Sequence, residues 1–451
     1  MGVDLELVTV AVTFVAGAAV VFLVALFSLR RRTASSSPPP APEQQPASSQ
    51  ASSHASETGR RKDAKAKKSE KGRPVAYQHP WLASSLKGHT GRVLDVDFAP
   101  SGKHLVSASE DRSLLLWTSK DFNEKEHKNV RGNVELDHAR LVRFAPDSKS
   151  LVLALAYANS LAVYKLGKKE EGGVRVAPVE GLDFAKAHMQ DIHSLGVACN
   201  GRFIMTASAD AKIVLWDLRG AILKVLETKQ HTLHQASVSP CGRFVASSGF
   251  TPDVLVWQAH FDRSNNFTEL KRAFELKGHS SGVLAFDFSQ DSKRMLSASK
   301  DGTWRLWDTD IRYEHGQDPR LVRSGELKIL KETPPSEVHA ALAPNGASFA
   351  ISAGSSLFVF RWDAPQESGA DGEASGVHSE AISALRFSPD SLFLVTAGDR
   401  QIRLFHNVSE RLGLLSRLEK ELKAANTESH RQRLREQTQE AKAFLLQLNI
   451  H

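Results

Sequence analysis

From about residue 80 onward the chain repeats itself, and that repeat limits what it can fold into more than any other feature. Seven short apolar strands end in an aromatic residue: "LLLW" at Trp117, "LAVY" at Tyr164, "IVLW" at Trp216, "VLVW" at Trp257, "WRLW" at Trp307, "LFVF" at Phe360 and "IRLF" at Phe405. The intervals between them are 47, 52, 41, 50, 53 and 45 residues. Each unit opens with another strand bounded by a turn such as "APSGK", "APDSK", "CNGR", "SPCGR", "SQDSK", "APNG" or "SPDS", where Gly, Asn, Asp, Ser and Pro supply the turn conformations. Units of this size, each made of several short strands, bury their apolar faces against their neighbours.

Gly-His openings (Gly88-His89, Gly278-His279) and Trp-Asp closings (Trp216-Asp217, Trp307-Asp308) accompany this period. On these residues the chain resembles the WD40 family over roughly residues 80–408. The resemblance implies an all-β, seven-bladed propeller of four-stranded sheets around a central channel. Family blades begin with the outer strand of the preceding blade, so "WLASSL" (81–86) is expected to complete blade seven, because no such strand follows Phe405.

Within this pattern lies a set of residues that could be mistaken for chemistry. His279, Ser297 and Asp301 are the residue types of a hydrolytic triad, in which a base takes the serine proton and a carboxylate orients the base. A catalytic triad is normally unique in a domain, whereas this set recurs. His89 to Asp111, His188 to Asp210 and His279 to Asp301 are each 22 residues apart. Each Asp lies four residues after Ser107, Thr206 or Ser297 and six before Trp117, Trp216 or Trp307. His378, Thr396, Asp399 and Phe405 form a weaker copy. The family resemblance implies that these sets are structural tetrads, buried relays from indole to hydroxyl to imidazole to carboxylate. Units two, four and six carry Ala158, Thr251 and Gly354 in place of the aspartate, and are expected to hold by apolar packing alone.

Ahead of the repeat, Leu7 to Leu29 run 23 residues without a charge. As a helix that is about 34 Å, against a hydrocarbon core of roughly 30 Å. A cleaved secretory signal would carry a positive leading region and a shorter apolar core, but here Asp4 and Glu6 lead and Arg30, Arg31 and Arg32 follow. Residues 1–29 are therefore expected to be a lumenal N-terminus and transmembrane anchor, with the basic side cytosolic. The sequons at Asn266 and Asn407 should then stay unglycosylated.

The chain carries 58 Lys and Arg against 51 Asp and Glu, a net of +7. Residues 1–29 hold -2 and residues 30–73 hold +7, so the rest sums to +2. The positive charge belongs to a linker, which weakens any reading of the whole body as a nucleic-acid surface. Residues 30–79 are rich in Ser, Pro, Ala and Gln, too poor in apolar groups to offset ordering, and read as a tether whose basic end could rest on anionic lipid. Ser37, before Pro38, fits a proline-directed phosphorylation site. Two cysteines, Cys199 and Cys241, are too few for a disulfide framework or a cysteine zinc site, and suit a reducing compartment, with one disulfide formally open.

After the repeat, residues 409–451 put Leu412, Leu415, Leu418 and Leu422 at helical spacing, and "NTES" (426–429) breaks the run with a new N-cap. A helical hairpin follows, docked on the propeller; the alternative is coiled-coil dimerisation, although the heptad fails after Leu422. The segment 311–337 is too irregular to assign.

No phosphate-binding Gly-rich loop, G-x-S-x-G or H-E-x-x-H motif occurs. His231 and His234 sit three apart in a strand-rich region, on opposite faces, which does not suit a metal. No catalytic residue, metal, cofactor or small-molecule substrate is assigned.

The stretches "NVELDHARLVRFAPD" (133–147), "SPCGRFVASSGFTPDV" (239–254) and "GDRQIRLFHN" (398–407) resemble one membrane-tethered branch of the family. That resemblance implies a single-pass endoplasmic-reticulum protein acting in the unfolded-protein response, holding a stress kinase and, in an alternative reading, messenger RNA or ribosomal components. Three function classes compete: a scaffold whose propeller rim binds proteins, an RNA-binding module using residues such as Arg92, Arg112 and Arg143, and an enzyme.

Overall fold

The computed structural model describes residues 77–168, 173–365 and 368–450. The expected anchor, most of the linker and Ser37 lie outside the described residues. Among the described residues no helix is long and apolar enough to cross a membrane.

Each repeat unit becomes a four-stranded antiparallel sheet, and there are seven. In blade one the strands are β2 (Val93–Phe98), β3 (His104–Ser109), β4 (Ser113–Thr118) and β5 (Asn129–Asn133), paired in that order. The seven aromatics that mark the period all fall in third strands and are all buried. Their spacing survives because each fills the gap between its own sheet and the preceding one, within apolar clusters that span neighbouring blades.

Contacts between the first strands of successive blades run right round, including the one between blade seven and blade one. The ring is closed by β1 (Leu82–Lys87), which pairs antiparallel with Gln401–His406 as the outer strand of blade seven. Leu86 lies opposite Ile402 in that pairing and is fully buried. Blade seven therefore has all four strands, and the ring leaves only the short outer edge of each blade unpaired.

First strands of neighbouring blades diverge too far for a shared backbone ladder, and side chains bridge them instead. Asp95 accepts the N–H of Val142 at 3.0 Å, Asp97 that of Phe144 at 2.7 Å, Ser194 that of Ala236 at 3.0 Å and Asp287 that of Leu342 at 2.8 Å. Gln235 accepts from Phe286 N at 3.0 Å and donates to its carbonyl at 2.9 Å. Ser383 donates to Val93 O at 2.7 Å across the seam. Burial pushes Asp287 up to about 6.

The irregular segment 311–337 contains the outer strand of blade five, Arg320–Glu326, and a short turn that inserts Leu330 into the core between blades five and six. The tail is a hairpin of α1 (Val408–Ala424) and α2 (Glu428–Gln447). The Asn407 side chain caps α1 by accepting from Glu410 N at 3.2 Å. Leu414, Leu418, Leu422 and Leu434 join the two helices. Phe444, Leu448 and Ile450 pack on the blade six–seven core beside Trp81 and Phe405, so the hairpin docks on the propeller.

Candidate functional site

Connections in an up-and-down sheet alternate between its two ends. The Gly-His turn entering each first strand therefore shares an end with the loop joining the second and third strands. The histidine comes from the first of these loops, the aspartate from the second, and the hydroxyl and indole from strands beneath. Backbone conformation explains the glycine: Gly278 has a φ of +140°, which suits glycine alone.

In blade one the Trp117 indole N–H donates to Ser107 Oγ at 3.0 Å, His89 Nε2 meets the same oxygen at 2.7 Å, and His89 Nδ1 meets Asp111 Oδ2 at 3.0 Å. Blade five repeats this with Trp307 to Ser297 at 2.9 Å, His279 Nε2 to Ser297 at 2.8 Å and His279 Nδ1 to Asp301 at 2.9 Å. The indole can only donate, so the hydroxyl accepts from it and donates to Nε2, leaving Nδ1–H for the carboxylate. The aspartate also accepts the N–H of Thr90 at 2.8 Å, or of Ser280 at 3.0 Å, and so fixes the Gly-His turn.

Burial would raise Asp301, but hydrogen bonds from Thr303, Ser280 and His279 hold it at about 2, and Asp111 is held at about 2 in the same way by Ser113, Thr90 and His89. Burial lowers His89 and His279 against the pull of their carboxylates. These rings are therefore neutral near pH 7.

Blade three is looser. Trp216 to Thr206 at 2.9 Å and His188 to Thr206 at 2.8 Å persist, but His188 Nδ1 stands 3.7 Å from Asp210. The difference is one hydroxyl: Ser113 and Thr303, two residues after the aspartate, bond its second oxygen at 2.5 and 2.6 Å, whereas Lys212 offers only its backbone N–H. A Ser or Thr at that position was the sequence signal for a complete relay. In blade seven His378 meets Thr396 at 2.9 Å and Asp399 at 3.1 Å, and Arg403 bonds Asp399 at 2.9 Å; Phe405 leaves the indole contact unmade.

The expectation that blades two and four hold by apolar packing alone is corrected. In blade two Asp137 accepts the N–H groups of His138, Tyr157 and Ala158 at 2.7, 3.0 and 2.9 Å, replacing the lost carboxylate from the opposite loop. In blade four Gln230 stands in for histidine, accepting from Ser247 at 2.5 Å and donating to Thr251 at 3.2 Å. Blade six does rely on an aromatic stack, Phe349 on Phe360 with ring centroids 4.8 Å apart.

Ser-to-His-to-Asp connectivity in blades one and five matches that of a hydrolytic triad, but its accessibility does not. Ser107, Thr206 and Ser297 are wholly buried, and each hydroxyl is engaged by an indole as well as an imidazole. A substrate carbonyl has no approach to the buried oxygen.

Two of the three arginines considered for RNA are spent on the fold. Arg143 pairs with Asp95 in the channel, and Arg92 bonds Gly398 O and Ala381 O at 3.1 Å each. Among the described residues no three His, Cys, Asp or Glu side chains converge as a metal would require, and Cys199 and Cys241 are free thiols. Asn407, one of the two sequons, is buried with its amide nitrogen bonded to Ser348 and Ser391 O at 2.9 and 2.8 Å.

The model of the WD domain, G-beta repeat, matches residues 81–118, 182–217, 270–308 and 376–406. Those segments carry Trp117, Trp216, Trp307 and Phe405, the third-strand aromatics of the four blades in which histidine and hydroxyl meet. The chain is 43% identical to transducin beta-like protein 2 of Homo sapiens over 373 residues, 82% of each chain. It is 40% identical to the Mus musculus protein of the same name over 401 residues, 88% of this chain and 89% of the relative. Nuclear distribution protein PAC1 of Arthroderma otae is 26% identical over 55% of this chain and 56% of its own length.

Proposed function

Because the chain belongs to the WD40-repeat family, whose propellers generally bind proteins and are not catalysts, we propose that it is a non-enzymatic scaffold tethered to the endoplasmic-reticulum membrane by residues 7–29. The propeller faces the cytosol and the short N-terminus the lumen. Its partners are proteins, a stress-response kinase of the unfolded-protein response among them, and its output is control of translation under stress.

The observation that carries the scaffold reading is the burial of every relay hydroxyl, with double engagement by indole and imidazole in blades one, three and five. The relay residues serve as structural braces that hold surface loops in one arrangement, and the loops do the binding. The uncharged stretch before a basic flank supports the tether. The burial of Asn407 fits a propeller that never meets the glycosylation machinery. The RNA reading is the weaker one, since the body beyond the linker is close to neutral.

Proximity labelling in cells tests this by comparing the full chain with one lacking residues 1–73. The scaffold reading expects kinase and translation-linked neighbours at the endoplasmic reticulum for the full chain, and their loss on truncation. Identical neighbours for both chains would overturn the tether. Glycosidase-sensitive mass on the full chain would overturn its topology, and association abolished by ribonuclease would favour RNA.

A further inference from the structure

The end of the propeller that carries the Gly-His turns is not uniform. Over blades two to four its loops expose large apolar side chains: Leu136 at 91%, Tyr157 at 72%, Met189 at 85% and Phe250 at 68%. The corresponding loops of blades five and seven read "HSSG", "SKDG", "HSEA" and "GDRQ", with no large apolar residue.

The first three belong to touching loops. Asp137, next to Leu136, binds the Tyr157 N–H at 3.0 Å, and Asn159 of the same loop as Tyr157 donates to Gln190 O, beside Met189, at 2.8 Å. His138 packs edge-on against Tyr157 at 5.1 Å, and His231 against Phe250 at 6.4 Å. Thr228, leading to His231, donates to Ala211 O of the intervening blade three loop at 3.0 Å.

Backbone strain gathers on the same loops. Leu136, Asn159, Ala211, Lys229 and His231 all have φ between 50° and 62°. Leu136 is held in that region while its side chain stands in water, and strained backbone and exposed apolar groups both gather at binding sites.

Charge decides what that partner is. The exposed charges on these loops are Glu135 and Asp191 against Lys186 and Lys229, and Asp191 is already bonded to Arg140 at 2.8 Å. Asp137 is turned inward onto backbone N–H groups. There is no positive excess to bind phosphate or an anionic bilayer, and no net excess of either sign to attract a charged run.

We propose that the loops of blades two to four form a docking surface for a partner protein's apolar segment, anchored chiefly by Tyr157 and Met189. The proposal rests on the scaffold reading above and adds the place and the chemistry of binding.

The full chain in phosphatidylcholine nanodiscs is used to select peptides from a displayed random 16-residue library, and selected peptides are titrated against variants. The expected peptides carry several bulky apolar residues without a charge run. They bind Tyr157→Glu and Met189→Glu more weakly by on the order of tenfold or more, and bind Arg263→Glu, on an exposed turn at the other end of blade four, as they bind the parent. Unchanged melting of the two loop variants confirms that folding is intact.

Equal binding to the loop variants, or a library that yields no peptide, overturns the proposal. So does self-association or adsorption to phosphatidylserine vesicles that those variants abolish, which would assign the patch to a second copy or to lipid. If cellular neighbours survive in Tyr157→Glu/Met189→Glu, the docking surface fails while the scaffold reading stands.

Discussion

Replacing Ser297 with Ala in blade five separates a brace from an active site. The serine is wholly buried, accepts the Trp307 N–H at 2.9 Å and donates to His279 Nε2 at 2.8 Å. Removing one oxygen leaves a donor and an acceptor without partners in a site closed to water. Leaving a buried polar group unsatisfied costs about 1–3 kcal/mol, and the loss here should fall in that range because the imidazole keeps Asp301. Hydrogen exchange on the full chain is the suitable assay, since a repeat protein need not unfold in one step. Amides of Arg294–Ser299 and Thr303–Asp308 should exchange faster by about 5- to 150-fold, the equivalent of 1–3 kcal/mol. Ser297→Thr should recover protection, because Thr206 fills the same role in blade three. Ser297→Ala with Trp307→Phe should cost less than the sum of the two, whereas Ser297→Ala with Ser107→Ala should be additive. Unchanged protection in Ser297→Ala would refute the reasoning.

Other blades and the chain ends give further tests. Gln230→Ala should destabilise blade four by about 1–3 kcal/mol by stranding Ser247 and Thr251; if protection of Phe244–Gly249 is unmoved, the substitute brace is wrong. Leu86→Ala should weaken the closing strand by about 2–4 kcal/mol, read as faster exchange at Gln401–His406, and an unaltered rate there would contradict the seam. Phe444→Ala with Leu448→Ala should release the hairpin, so that proteolysis near 426–429 accelerates while the sheets stay protected; continued resistance would count against docking.

Acid should also weaken the fold. His89, His188, His279 and His378 are lowered chiefly by burial from 6.5, so the unfolded chain takes up protons first. Their contribution is complete above about pH 6.5 and declines as pH falls below it, and Asp111 and Asp301 add a second loss between their unfolded 3.8 and about 2. Asp287, raised to about 6, acts in the opposite sense between 6 and 3.8, as do Asp97 and Asp253, also raised by burial. Among the described residues nine histidines in all are lowered by burial and outweigh them. A melting temperature that rises from pH 7 to 5 would contradict this.

The seven blades were legible because each third-strand aromatic is fixed by a local demand, the gap between sheets, and local demands repeat with the chain. The closing strand was legible for a related reason, since a ring short of one strand at its end must take it from the start. The braces of blades two and four were not. Asp137 and Gln230 satisfy the same geometry with other residue types from other positions, and a search for a fixed His-to-Asp interval passes over both. Leu330 escaped notice because a short turn that plugs a core has no periodicity. The side chains bridging first strands, Asp95, Gln235 and Asp287 among them, meet partners about fifty residues away in the next blade, and spacing within one unit carries no trace of that. Leu136, Tyr157 and Met189 were equally hidden, because an apolar residue in a loop looks like any other until its exposure is known.

A constellation with the connectivity of a hydrolytic triad serves here as a brace inside a propeller blade. Treating the folded full chain with a fluorophosphonate probe, and mapping adducts by mass spectrometry, tests it most directly. No adduct is expected at Ser107 or Ser297, because both oxygens are wholly buried and each is held by an indole and an imidazole. Stoichiometric labelling of Ser297 in the folded chain, abolished by His279→Ala, would contradict it.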